Sequence, residues 1–159
     1  MDRIGLEILH QELLADARVL LESSMAARAR LSQTVTGSTE SCGYQLNRFY
    51  NNLERGFERI CESFENHFEK RGDYQEKLIM RMTLSLPGIR PAFLGVETVG
   101  SLRELKGFRH VFRHAYDLTL VADRLESLVK YAEELAVGQP ARIETFIREV
   151  QINLGEDAP

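Results

Sequence analysis

The sequence predicts an all-α fold, a helical bundle of five or six helices, and three observations predict it. Apolar residues recur at spacings of three and four over most of the chain. No segment alternates apolar and polar residues over the length of a strand. Glycine and proline gather at a few points between the periodic stretches and mark them as connections. At 159 residues the chain is expected to form a single domain, 1–159, large enough to bury a core without disulfides or metal. Its 43% hydrophobic and 28% charged residues and its mean hydropathy of −0.26 are those of a soluble globular protein.

The elements follow in order. Leu6, Leu9, Leu13, Ala17, Leu20, Ala27 and Leu31 form the buried stripe of a first amphipathic helix over about 4–31. The polar, β-branched run 32–41 reads as a loop. A second long helix runs from 41 or 44 to 70, with Leu46, Phe49, Tyr50, Leu53, Phe57, Ile60, Cys61, Phe64 and Phe68 in one narrow seam. Such a seam implies long antiparallel packing against the first helix, or a dimer contact. His67 sits at its rim without partners. Gly72 is placed to end this helix in the left-handed conformation, and Asp73 to cap a short third helix over 74–84.

Two prolines and two glycines between Leu86 and Gly95 preclude regular helix there. Ser101 with Glu104 reads as a capping box that starts the next helix. Leu118, Val121, Leu125, Leu128, Val129, Ala132 and Leu135 mark a further one. Gly138-Gln139-Pro140 is expected to break the chain before a last helix ending near Leu154, beyond which residues 155–159 should fray.

No apolar run approaches the roughly 18 residues that cross a bilayer, and the N-terminus lacks the apolar run of a signal peptide. The expected location is cytoplasmic, without membrane contact. Cys42 and Cys61, with no ligand-spaced histidine beside them, read as buried thiols rather than a disulfide. The net charge of −4 argues against a surface built wholly for nucleic acid. Between Arg81 and Arg113, however, six basic residues face two acids, a local +4 that suits a confined anionic ligand or a solvated positive face.

The stretch 105–116, Leu-Lys-Gly-Phe-Arg-His-Val-Phe-Arg-His-Ala-Tyr, concentrates the chemistry. On a straight helix Leu105, Phe108, Phe112 and Ala115 form a core face. Arg109, Arg113, His110 and His114 share a polar face beside it, with Arg109 and His114 about 140° apart. On one helix those two converge only through the arginine's reach, or through a second copy across a two-fold axis. His110 and His114 have the spacing of a helical zinc pair, but two ligands are too few and the neighbouring arginines repel a cation, so neither a metal nor another cofactor is expected. Histidine can move a proton near neutrality, and arginine grips phosphate oxygens in a bidentate fork. Together they suffice to cleave RNA through attack of its own 2′-hydroxyl. A solvated basic helix with an ordinary tyrosine fits the same composition.

Arg109, four residues, His114, one residue and Tyr116 together resemble the Arg-x4-His-x-Tyr signature of HepT-like toxins in the HEPN superfamily. The resemblance is clear over about 101–135, with the polar His110 directly after the arginine. It implies a metal-independent ribonuclease toxin of a toxin–antitoxin system, working as a homodimer on an RNA substrate. Arg109 and His114 would be catalytic, and His110 and Arg113 would bind substrate. It implies further that an MntA-like nucleotidyltransferase antitoxin silences the toxin by attaching AMP to Tyr116. The alternative role is a non-catalytic helical subunit that pairs with such a nucleotidyltransferase and presents a substrate to it.

Overall fold

The computed structural model describes residues 1–65, 72–114 and 120–155. It is an all-α bundle: α1 (Arg3–Leu31), α2 (Ser38–Phe64), α3 (Tyr74–Met82), α4 (Val99–His114) and α5 (Ala122–Asn153), with no strand among the described residues. Ion pairs fix the directions of the long helices. Arg59 of α2 meets Glu12 and Asp16 of α1, while Arg48 lies nearest Glu22, so α1 and α2 run antiparallel. Arg28 near the end of α1 grips Glu126 and Glu133 at 2.6–2.9 Å, and His10 near its start meets Glu144 at 2.9 Å. α5 is therefore antiparallel to α1 as well. The expected stripes of α1 and α2 are the core, with Leu6 to Ala27 on one side and Leu46 to Cys61 on the other, each at most 4% exposed. Cys42 and Cys61 are free and buried. Burial pushes their thiols up to about 11 and about 12, the range of inert packing groups.

Several boundaries differ from what the local sequence suggests. α2 begins at Ser38, inside the polar run expected to be loop. Gly37 takes the left-handed conformation (φ 83°) and turns the chain at once, and the Ser38 hydroxyl donates to the carbonyl of Gln33. α2 ends at Phe64, with Glu65 already extended; the expected continuation to 70, including His67 and Phe68, lies outside the described residues. Gly72 is left-handed as expected (φ 60°), but it leads into α3 rather than closing α2. The Asp73 carboxylate caps nothing, since its backbone is outside the extended region from which a capping side chain folds back. Ser101 does not start α4 either. A 3₁₀ turn, Val96–Thr98, stands ahead of it and feeds directly into Val99, so Ser101 and Glu104 are interior residues.

The largest correction concerns Pro140. α5 is continuous through it for 32 residues. A proline inside a helix leaves the carbonyl four residues earlier without its donor. Here the ring is exposed while Leu135, Ala136, Ile143, Phe146 and Ile147 are buried on both sides of it. Packing along that apolar face outweighs the local defect.

The irregular connection between α3 and α4 is also tied into the core. A tight turn closes over residues 86–90, with Gly88 left-handed. Phe93 and Leu94 then donate their amides to the Met82 carbonyl at 2.8 and 2.9 Å, and the Phe93 ring stands edge-on to Phe57 and Phe146. Arg90 enters with a side chain that is 0% exposed. It donates to Glu65 at 2.8 Å and to the carbonyls of Leu84, Arg81 and Pro91.

Candidate active site

α4 packs across α2 and turns its apolar residues inward. Leu102, Leu105 and Phe108 are buried, and Phe112 stacks on Phe108 at 5.5 Å between ring centroids. Phe112 approaches α2 so closely that a Cβ on Gly43 would lie 2.7 Å from its ring. The direction follows: Phe112 meets residue 43 and Arg109 meets residue 51, so α4 runs antiparallel to α2.

Arg109 sits at the edge of this packed face, with 15% of its side chain exposed. Its Nε donates to Asn51 Oδ1 at 2.5 Å, Nη2 lies 4.0 Å from Glu54, and the guanidinium stands over the Tyr50 ring at 5.8 Å. Burial, with the Glu54 carboxylate second, pushes the Tyr50 hydroxyl well above its ordinary range, so it stays protonated at neutral pH. The guanidinium is therefore oriented by one amide and one aromatic face, while its Nη groups make no hydrogen bond within the described residues.

His110 and His114 stand elsewhere, both exposed, with ring centroids 4.9 Å apart. Arg113 is exposed and has no ionic partner among the described residues. The polar face expected on α4 is thus divided: Arg109 belongs to the contact with α2, and the two histidines and Arg113 belong to solvent. Among the described residues no hydrogen bond or ring contact joins Arg109 to His114. Tyr116 lies outside the described residues.

The basic region also divides. Arg81 and Arg90 converge on Glu65, and Arg103 and Lys106 converge on Glu76. Four of its six cations are thereby closely matched by carboxylates, Arg109 has Glu54 at 4.0 Å, and Arg113 has no ionic partner among the described residues. A cavity of about 520 Å³ opens beside His110, with Glu76 and Lys106 in its wall. Among the described residues no three His, Cys, Asp or Glu side chains come together to hold a metal ion.

Asn51 and Glu54 beside Arg109 escaped the sequence reading, and Tyr50 was read only as part of the seam. Their signal was a run of polar residues, Asn51, Asn52 and Glu54, directly beside the aromatic seam of α2. Nothing local ties that run to a helix more than 50 residues downstream.

A family model described as HepT-like protein matches residues 41–150. The chain belongs to the HepT-like family. The match runs from the first turn of α2 to the last turn of α5, so it includes both Arg109 and the α2 residues beside it. No curated protein and no solved structure matches the chain. Among the described residues, no helix of this HepT-like chain is long and apolar enough to cross a membrane.

Proposed function

We propose that this HepT-like protein is the ribonuclease toxin of a toxin–antitoxin system, cutting RNA without a metal ion. One observation supports the reading most: Arg109 is oriented on α2 with its Nη groups unbonded, while His114 stands exposed at the end of the same helix. Arginine stabilises the charge that builds up on a pentacoordinate phosphorus, and histidine moves protons near neutrality. In the reaction the 2′-oxygen of the RNA forms a bond to phosphorus and the bond to the 5′-oxygen breaks. The 2′-hydroxyl proton passes to a neutral histidine acting as base, and the leaving 5′-oxygen takes its proton from a protonated histidine acting as acid. His114 performs the proton transfer, and His110 and Arg113 hold the flanking backbone.

Arg109 and His114 diverge within one chain, so the site is completed in a homodimer, with residues of the two copies meeting across a two-fold axis. Control falls to Tyr116. Its phenolic oxygen attacks the α-phosphorus of ATP on an MntA-like nucleotidyltransferase antitoxin, pyrophosphate leaves, and the attached AMP fills the cationic cleft.

Incubating the purified chain with RNA in the presence of a chelator tests the reading. Cleavage is expected, and His114→Ala should slow it by about 10²–10⁴, the scale of a positioned acid–base group. Full activity in that variant would remove His114 from the mechanism. No cleavage at any protein concentration would favour the non-catalytic partner role. A mass increase of one AMP on Tyr116, lost in Tyr116→Phe, is the corresponding test of control.

A further inference from the structure

Away from the histidines, α2 carries a second polar face. Tyr44, Arg48, Asn51, Arg55 and Arg59 follow one another at spacings of four, three, four and four, which keeps them within about 80° of arc on the side opposite the aromatic seam. They line a groove of about 720 Å³ whose other wall is α1. From Tyr44 to Arg59 the track is about 22 Å long at the α-helical rise.

The groups along it are not spent on holding the fold. Tyr44 is 58% exposed. Arg55 is exposed and makes no salt bridge among the described residues, though its charge acts on the nearby Asp16 carboxyl. Arg48 has only Glu22, at 3.7 Å. Arg59 is the exception, since Glu12 at 2.6 Å and Asp16 at 3.0 Å hold it. Asn47 Oδ1 is buried in the groove without a hydrogen-bond partner. Asn51 and Asn52 each use half of an amide: Oδ1 of Asn51 accepts from Arg109, and Nδ2 of Asn52 donates to the Asp16 carbonyl. The Asn51 amino group and the Asn52 oxygen remain, one donor and one acceptor side by side.

The geometry points to this groove as a binding track for single-stranded RNA that leads to Arg109. The inference rests on the ribonuclease reading above for its destination and on the groove itself for its ligand. An exposed aromatic ring offers a stacking surface to an unpaired base, free guanidinium groups take phosphates, and an amide donor–acceptor pair matches base edges. Asn51 belongs to both places, lining the groove and orienting Arg109, so a strand lying along α2 arrives at the arginine. Glu12 and Asp16 on the α1 wall are taken up by Arg59, so the cations that face a phosphate are those on the Arg48–Arg55 side. That narrow, one-sided cationic strip suits a single strand better than a duplex.

The test uses the full chain with His114→Ala to prevent cleavage, and a fluorescein-labelled 12-nucleotide single-stranded RNA read by anisotropy. Tyr44→Ala should weaken binding roughly 5- to 100-fold, the range for one lost base stack. Arg55→Gln and Arg48→Gln should each flatten the salt dependence by about 0.7 in log–log slope. In the otherwise natural chain the same changes should raise KM for RNA and leave kcat in place. Unchanged affinity and KM in a chain that still cleaves RNA would overturn the track and leave the ribonuclease reading standing. Groove-dependent RNA binding by a chain that never cleaves would do the reverse. Equal binding of duplex RNA, or loss of affinity for an MntA-like nucleotidyltransferase in place of RNA, would also overturn the track. Tyr44, Arg48 and Arg55 carry little of the core, and unchanged thermal unfolding of each variant checks that the fold is intact.

Discussion

Arg90 and Arg109 are both arginines drawn away from solvent, and they are held in opposite ways. Arg90 is fully enclosed, with one carboxylate and three carbonyls taking its protons. Arg109 is 15% exposed and makes one hydrogen bond, to a neutral amide, beside a carboxylate at 4.0 Å. The first has both Nη groups bonded, with only a buried Nε left without a partner, and it joins the loop at 83–95 to the end of α2. The second is oriented, and its Nη groups make no hydrogen bond among the described residues. The number of bonds a charged side chain has left over, more than its burial, separates an anchor from a candidate catalytic group.

Arg90→Ala strips Glu65 of its buried partner and empties a large space, so unfolding in denaturant should show a loss of about 3–5 kcal/mol. Arg109→Ala should lower RNA cleavage by about 10²–10³ while moving stability far less, the pattern of a lost electrostatic stabiliser. If Arg109→Ala unfolds the chain instead, the distinction fails. Asn51→Ala tests the orienting bond itself. It should cost about 1 kcal/mol of stability and reduce cleavage less than Arg109→Ala does.

The smallest expected effect is on pH. Burial works to raise the Glu65 carboxyl, but Arg90 and Arg81 together outweigh it and hold the group below its ordinary value of 4.5. A depressed carboxylate favours the folded state above its unfolded value, and that contribution disappears as the pH falls through the lower folded value. Acid titration of stability should therefore show a step below about 4.5 that Glu65→Gln removes.

Much of the fold was legible because its long helices announce themselves by period. The seam from Leu46 to Cys61 and the stripe from Leu6 to Ala27 face each other as their spacing required. What local rules missed was decided at a distance. Pro140 reads as a helix end, yet the buried faces before and after it carry α5 through. Arg90 reads as one more surface cation, because its acceptors come from Glu65 and from carbonyls outside its own turn. The site was half legible. The motif placed Arg109 and His114 on one helix and the wheel showed them diverging, but only the contact with α2 reveals that Asn51 takes one of them. That contact is tertiary, and no window of sequence contains it.

Gly43 has an evolutionary consequence. In a helix, alanine is ordinarily better than glycine by about 1 kcal/mol, so a single-base change at this codon looks like an improvement. Here the new methyl would press on the Phe112 ring from 2.7 Å and on Leu120 from 3.1 Å. The Phe112 ring, which packs the end of α4 against α2, would have to give way. One nucleotide therefore separates a close fit of α4 on α2 from a forced one, beside the residues proposed for the site.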